Sequence, residues 1–331
     1  MNFSKLHFIR KYFRLACAPA LAMGLLASPA QAQTFPDQPI RIVIGFPPGG
    51  GIDILARIIA PPLSESLGQP VIIDNRPGAS GVLGMSAVAK AKPDGYTIFL
   101  GTTGNISVNS SVMDNLPFDV ERDFDPLMQV AAVPFLIYAH PKLPVKNLAE
   151  LVKLAKSQPG QINYYSSGKG GLPHLTGELF NSLAGVKTFH IPYKGSAPGM
   201  NALLGGEVEL GVDAVANGLQ HVKAGKLNAL AVTGTERISV LPDVAPAQET
   251  VPDLVAVNWY GMLVPAGTPK DVVQRLNQEI TKVLKMGEVR ERLLAQGIDP
   301  VTSTPEAFGA FIKAETAKWG RVVREADIRA D

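Results

Sequence analysis

Short apolar segments alternate with glycine-rich turns and helix-like segments along most of this chain, and this order constrains the fold more than any other feature. The first unit consists of the apolar segment 40–44, the glycine-rich turn 45–51 and a helical pattern that begins at Ile52. The second unit runs from 71–73 through the turn 75–81 into another helical pattern. Strands that alternate with helices form right-handed crossovers, so the sequence predicts an α/β fold with a mainly parallel sheet.

The second half of the chain repeats the same order. Segment 161–165 is a predicted strand, 166–171 a glycine-rich loop and 173–183 a helix, and two further strands are predicted at 208–212 and 227–232. A chain of about 300 residues beyond its amino-terminal segment exceeds the usual size of one domain. We therefore expect two lobes that share an interface.

Prolines predict where several helices begin or break. The pairs Thr268-Pro269 and Thr304-Pro305 predict helices whose first residue is the proline and whose cap is the threonine. Pro61-Pro62 lies inside the first helical pattern, where a missing amide and a ring clash disfavour a helix. We expect two short helices at that point.

The amino-terminal segment 1–32 has the three parts of a secretory signal peptide. Basic residues from Lys5 to Arg14 precede the apolar run 15–27, and Ala30 and Ala32 provide the small residues that signal peptidase accepts. The apolar run has about 13 residues where a membrane span needs roughly 20. We therefore expect cleavage before Gln33 and secretion to the periplasm by the general route, in preference to a lipid anchor at Cys17 or the twin-arginine route.

Cleavage changes the chemical inventory of the chain. The segment carries four of the 31 Lys and Arg residues and none of the 29 Asp and Glu residues, so 27 basic residues remain and the net charge becomes −2 instead of +2. A clustered basic surface for nucleic acid is not evident. The one cysteine is also removed, which excludes disulfides, thiol nucleophiles and cysteine-ligated metals from the mature chain.

Four glycine-rich loops are candidates for binding an anion. In a parallel sheet, strand-to-helix loops place free backbone amides and the positive ends of helices at one edge. The loops do not have the spacing of nucleotide-binding motifs, so we expect no phosphate cofactor and no other cofactor. They lie at 45–51, 78–81, 101–105 and 166–171.

The sequence offers little for catalysis. It contains no Gly-x-Ser-x-Gly and no His-Glu-x-x-His motif, and its five histidines are scattered. We expect a binding protein and no enzyme. The alternative is a secreted hydrolase that uses Ser166 or Ser167 with His174 and Asp213.

At these loops the chain resembles the Bug family, the TctC-like periplasmic solute-binding components of tripartite tricarboxylate transporters. The similarity extends over essentially the whole mature chain, and the order and spacing of the motifs make it specific. The motifs include Pro48 to Gly50 with Asp53, Asn75 to Gly81, Lys92 to Thr97, Tyr165 to Gly168, His174, His190 to Gly195, Trp259 to Gly261, Pro265 to Pro269, and Glu315 with Lys318 and Trp319.

The resemblance implies the type II periplasmic-binding-protein fold, in which two α/β lobes close on a solute in the cleft between them. We place lobe 1 at 33–135 and 252–331 and lobe 2 at 136–251, with crossing strands near 133–139 and 257–264. Two sets of ligand-binding residues are implied, and Asp53 is expected to support its loop. The sets are Phe46, Gly49, Gly50, Thr102 and Thr103 on one lobe, and Ser166, Ser167, Gly168, His174, Tyr193, Gly195, Ala197 and Asp213 on the other.

The implied function is capture of a small carboxylate for transporter membrane subunits or a sensor, by a monomer. Dicarboxylates, tricarboxylates, acidic amino acids and aromatic carboxylates are all candidates, because segment 105–111 departs from the Ala-Ile-Asn-Pro-like sequence usual in the family. A third hypothesis is the effector-sensing domain of a transcription regulator. The predicted signal peptide and the missing amino-terminal helix-turn-helix argue against it.

Overall fold

A computed structural model describes residues 35–113, 115–193 and 195–328 of the chain. The predicted signal peptide, 1–32, lies outside these residues. The strands are β1 Ile40–Ile44, β2 Val71–Asn75, β3 Thr97–Thr102, β4 Phe124–Ala139, β5 Asn163–Ser166, β6 Phe189–Pro192, β7 Leu210–Ala214, β8 Asn228–Val232, β9 Val257–Pro265 and β10 Asp299–Pro300.

Eleven α-helices lie between and after the strands of the described residues. None of them combines the length and the apolar composition that crossing a membrane requires. They are α1 Gly51–Leu67, α2 Val82–Ala89, α3 Asn109–Val112, α4 Val120–Asp123, α5 Leu148–Ser157, α6 Leu172–Ala184, α7 Ser196–Gly205, α8 Val215–Lys223, α9 Lys270–Leu284, α10 Gly287–Ala295 and α11 Pro305–Glu325.

The sheet contains two groups of parallel strands. In the first group β1 pairs with β2 and β3, and in the second β5 pairs with β6 and β7. The prediction of an α/β fold is confirmed, but the prediction of a mainly parallel sheet was wrong. Strands β4 and β9 run antiparallel to their neighbours and account for all the remaining strand pairs of the described residues, including those of β8 and β10.

Strand β4 connects the two groups. Residues from Phe124 to Pro134 pair with β9, whereas residues from Phe135 to Ala139 pair with β7 and β8. Strand β9 in turn pairs with β3 of the first group. The two strands lie where crossing strands were predicted, and the division into lobes at 135 and 252 stays a prediction.

Helix α1 is continuous through Pro61 and Pro62, so the prediction of two short helices was wrong. Pro61 is exposed and Pro62 is half-buried. Ile58, Ile59 and Leu63, before and after the prolines, are all buried. Burial of these side chains outweighs the local preference against a helix.

The two Thr-Pro pairs differ in structure. At Thr304 the prediction is confirmed, because its hydroxyl accepts from the amide of Ala307 at 3.2 Å and Pro305 is the first residue of α11. At Thr268 it was wrong, because the hydroxyl donates to the Pro265 carbonyl at 2.7 Å. Helix α9 therefore begins one residue later than predicted, at Lys270.

A buried carboxylate joins α11 to β9. Glu315 accepts from the indole nitrogens of Trp259 at 3.0 Å and Trp319 at 2.9 Å, and it pairs with Lys318. Both tryptophans are fully buried. The ring of Phe308 packs edge-on against Trp259, with 5.6 Å between the ring centroids. These contacts hold the carboxy-terminal helix on the sheet.

Candidate functional site

A cavity of about 680 Å³ lies where both groups of parallel strands end. Loops that follow β1, β2, β3, β5, β6 and β7 line it together with β4 and β9, because the carboxyl ends of parallel strands meet at one edge of a sheet. Its size is typical of a site for a small molecule. The polar lining side chains are Ser80, Thr102, Asn105, Asn109, Ser167, Lys169, Ser196, Asp213, Asn217, Asn258 and Tyr260.

Four helices begin at this cavity. Helix α1 begins at Gly51, α6 at Leu172 and α7 at Ser196, and these first residues all line the cavity. Ala214, the residue that precedes α8, lines it as well. The unpaired amides and the positive dipole ends of these helices make the cavity favourable for an anion.

The loop after β1 is held by a buried carboxylate. Asp53 accepts from the amide of Gly49 at 2.9 Å, from Arg57 at 2.9 Å and from the side chain of Asn75 at 3.0 Å. Burial alone would raise the pKa of Asp53, but these hydrogen bonds outweigh it and the pKa is lowered. Phe46 and Gly50 of this loop line the cavity, and Gly49 does not.

Adjacent threonines at the end of β3 have different surroundings. Thr102 lines the cavity. Thr103 is fully buried, and its hydroxyl accepts from the amide of Trp259 at 2.9 Å. Thr103 therefore fastens the end of β3 to β9 and does not line the cavity.

Adjacent serines at the end of β5 show the same contrast. Ser167 and Gly168 line the cavity. Ser166, the last residue of β5, is fully buried, and its hydroxyl lies 2.7 Å from Nε2 of His190. Ser166 therefore connects the loop to β6 through its contact with His190, on the side away from the cavity.

Two stacked histidines lie behind this loop. The rings of His174 and His190 are 3.7 Å apart, and Nδ1 of His174 accepts from the amide of Gly170 at 3.0 Å. Burial and the nearby Lys169 lower the pKa of His174 to about 4. Burial and the neighbouring His174 lower the pKa of His190 to about 3. Both rings are neutral at pH 7.

This arrangement does not support the hydrolase alternative. The hydroxyl of Ser166 is directed to His190 and not to His174, and Ser166 has no exposed surface. His174 does not line the cavity, and its Nδ1 is occupied by a backbone amide. A nucleophile needs a base within hydrogen-bonding reach and access to the substrate. Ser166 has no access to the cavity, and the predicted base, His174, does not line it.

Asp213, at the end of β7, is the carboxylate of the cavity wall. Its Oδ1 accepts from Ser196 at 3.0 Å, from Asn217 at 2.9 Å and from the amide of Ala214 at 2.8 Å, and Oδ2 accepts from Tyr165 at 3.2 Å. Burial raises the pKa of Asp213, although each of these hydrogen bonds acts in the opposite direction. The carboxylate thereby links the end of β7 to β5, α7 and α8.

The structure brings six of the thirteen predicted ligand-binding residues to the cavity, namely Phe46, Gly50, Thr102, Ser167, Gly168 and Asp213. The others lie behind it or beside it. Tyr193 packs edge-on against Tyr165, the amide of Gly195 donates to the Ser167 carbonyl at 3.1 Å, and Ala197 is exposed in α7. Gly49, Thr103, Ser166 and His174 are occupied by the contacts given above. Contact of the six with a ligand stays a prediction.

Sequence reasoning missed several lining residues. Lys169 lies inside a loop that was singled out, and Asn217 lies one helical turn after Asp213, so both carried a local signal. Asn258 and Tyr260 lie on β9. Tyr260 pairs with Thr102 of β3, which lies more than 150 residues earlier in the sequence. No local pattern predicts that pairing.

The described residues contain no group of three or more His, Cys, Asp or Glu side chains arranged to hold a metal ion. Among the described residues that line the cavity, Lys169 is the only basic side chain and Asp213 the only acidic one. The wall is otherwise made of neutral donors, backbone amides and apolar groups.

The chain matches a known protein family over most of its length. The family described as the tripartite tricarboxylate transporter family receptor, TctC, matches residues 55–328. The chain belongs to the TctC family. Protein BugT of Bordetella pertussis is 38% identical over 307 residues, which are 92% of this chain and 94% of that protein.

Solved structures of TctC proteins have the same fold. The Rpa4515 protein of R. palustris with adipate is 35% identical, with a TM-score of 0.76 over 89% of this chain and 99% of that one. MatC of Rhodopseudomonas palustris with bound malate is 30% identical, with a TM-score of 0.72 over 87% and 100% of the two chains. These neighbours confirm the periplasmic-binding-protein fold, and the family consists of solute-binding proteins and not enzymes.

Proposed function

We propose that this TctC protein binds a small carboxylate in the 680 Å³ cavity and delivers it to the membrane subunits of a tripartite tricarboxylate transporter. The observation that carries the proposal is the convergence of four helix amino termini and Lys169 on one cavity. Amides and helix dipoles stabilise a carboxylate without a buried arginine. Adipate and malate, bound by two structural neighbours, are ligands of this class.

Asp213 restricts how a carboxylate can lie in the cavity. An ionised Asp213 repels a carboxylate placed against it, since like charges at short distance disfavour each other. A hydroxyl, an amine or an ordered water of the bound solute can donate to it instead. The carboxylate of the solute then belongs at the helix amino termini and Lys169, away from Asp213.

Capture is expected to involve closure of two lobes around the solute. The β4 and β9 strands join the two groups of parallel strands, and the cavity lies between the loops that follow those groups. Residues 33–135 with 252–331 and residues 136–251 are the proposed lobes. Cleavage of segment 1–32 releases the chain into the periplasm, where a transporter or a sensor receives the loaded form.

A thermal-shift screen of the mature chain from Gln33 tests the proposal. Dicarboxylates, tricarboxylates, acidic amino acids and aromatic carboxylates are added separately, with the corresponding amides as uncharged controls. A bound solute stabilises the folded state in proportion to the logarithm of its concentration above Kd. We expect at least one carboxylate to raise Tm while its amide does not, with the solute recovered unchanged by NMR. Turnover that Ser167→Ala abolishes would establish the hydrolase instead.

Removal of the charge of Lys169 is expected to weaken carboxylate binding moderately. Lys169 is exposed, and exposed ion pairs contribute up to about 1 kcal/mol, so Lys169→Ala should raise Kd about threefold to fivefold. Lys285→Ala makes the same charge change at an exposed residue away from the cavity and should leave Kd unchanged. Equal Kd values for both variants, measured by calorimetry, would show that Lys169 does not act on the solute.

A further inference from the structure

The segment that follows β3 forms part of the cavity wall. After β3 the chain makes a π-helical turn over Gly104–Val108 and continues into α3. Asn105, Ser107 and Asn109 are all buried, and Asn105 and Asn109 line the cavity. Three buried polar side chains in five residues are unusual, because each needs a hydrogen-bond partner. Such turns occur frequently at functional sites.

The side-chain amide of Asn105 has one satisfied end and one unsatisfied end. Oδ1 accepts from the amide of Thr102 at 2.8 Å, which fixes the orientation of the group. Nδ2 has no hydrogen-bond partner among the described residues, although Asn105 is only 1% exposed. A buried donor without an acceptor is destabilising. An acceptor oxygen from a solute in the cavity would remove that penalty.

Two glycines make room for this side chain. A Cβ atom on Gly81 would lie 2.5 Å from Nδ2 of Asn105, and a Cβ on Gly101 would lie 2.7 Å from its Oδ1. Gly81 also has a φ of +90°, a conformation that favours glycine. Asn105 is therefore held between two backbone segments, so its donor is positioned before any solute binds.

Asn105 and Lys169 belong to different parts of the wall. Asn105 follows β3 in the first group of parallel strands, whereas Lys169 follows β5 in the second. We propose that Asn105 is a specificity-determining residue, whose Nδ2 donates to a second acceptor group of the solute. The cavity then selects solutes that carry an acceptor oxygen at both ends. This inference rests on the proposed carboxylate function and names the part of the wall that reads the second group.

Ser107 provides a matched control within the same turn. Its hydroxyl is also buried without a hydrogen-bond partner in the described part of the chain, but Ser107 does not line the cavity. Ser107→Ala removes an unsatisfied group that no solute reaches. It should preserve solute selectivity, so a general effect of disturbing the turn can be separated from loss of a contact.

The test measures discrimination between adipate and hexanoate, which have equal chain length but two carboxylates and one. If another dicarboxylate binds best in the screen, it replaces adipate, and the monocarboxylate of its length replaces hexanoate. Calorimetry gives the ratio of the two Kd values for the unaltered chain, Asn105→Asp, Asn105→Ala and Ser107→Ala. Asn105→Asp keeps Oδ1 and adds a charge, whereas Asn105→Ala adds none and loses Oδ1. The change that they share is loss of the Nδ2 donor.

We expect both Asn105 variants to reduce the discrimination ratio about tenfold, as loss of one charge-assisted hydrogen bond predicts, and Ser107→Ala to change it less than twofold. In the unaltered chain, the Asn105 side-chain NH₂ resonances should shift on addition of the dicarboxylate. An unchanged ratio in the folded Asn105 variants, or unmoved NH₂ resonances at saturation, would overturn the inference. If no carboxylate binds the unaltered chain, the proposed function itself fails.

Discussion

Replacement of Glu315 by alanine is expected to lower the free energy of unfolding by about 3 to 5 kcal/mol. The change leaves the indole N–H groups of Trp259 and Trp319 buried without an acceptor and removes the pair with Lys318. Each unsatisfied buried donor costs about 1 to 3 kcal/mol. The cavity left by the truncated side chain adds to this loss.

Glu315→Gln separates the hydrogen bonds from the charge. Its side-chain carbonyl still accepts from an indole nitrogen, so its loss should be roughly half that of the alanine variant. Denaturant unfolding followed by tryptophan fluorescence gives both values. A loss below about 1 kcal/mol for Glu315→Ala would contradict the assigned role of this carboxylate in holding α11 on β9.

Acidification from pH 7 to pH 5 is expected to destabilise the protein by about 4 kcal/mol through two histidines. The folded-state pKa values of His174 and His190 are about 4 and about 3, against an ordinary value of 6.5. Below pH 6.5 these two histidines therefore bind protons in the unfolded chain but remain neutral in the folded chain. Stability falls as pH decreases from about 6.5 towards 4, by about 2 kcal/mol per histidine at pH 5.

A double variant, His174→Asn with His190→Gln, isolates this effect. The replacements keep polar atoms near the positions that bond to Gly170 and Ser166 but do not titrate. The raised pKa of Asp213 acts in the opposite direction, since its protonation favours the folded state as pH falls. The double variant should lose less than half as much stability between pH 7 and pH 5. An equally steep loss would mean that other groups control the pH dependence.

Local sequence patterns predicted most elements of the fold. The spans 40–44, 208–212 and 227–232 correspond closely to β1, β7 and β8, and the helix predicted at 173–183 is α6. Thr304 caps its helix as predicted. These elements are recognisable because the hydrophobic pattern and the capping residue lie within a few positions of each other.

Predictions that depended on distant contacts were less accurate. Helix α1 continues through Pro61 because buried residues on both sides of it pack against the core, which a local rule does not include. The antiparallel strands β4 and β9 pair residues such as Ala132 and Trp259, which are far apart in sequence. Long strand pairs of this kind have no local signature.

In the candidate site, sequence located the loops better than the individual side chains. Successive residues at the end of a strand point to opposite sides, so Ser167 lines the cavity while Ser166 faces His190. Thr102 and Thr103 differ in the same way. Asn105 was noted only as a departure from the family, because its significance depends on Gly81 and Thr102 beside it.

Mass spectrometry of the solute released by denaturing the purified mature protein tests the carboxylate site most directly. The convergence of helix amino termini and Lys169 on the cavity predicts that the released compound is a small carboxylic acid. The selectivity assigned to Asn105 predicts a second oxygen acceptor at its other end. Release of a neutral sugar in a stoichiometric amount would contradict the carboxylate assignment.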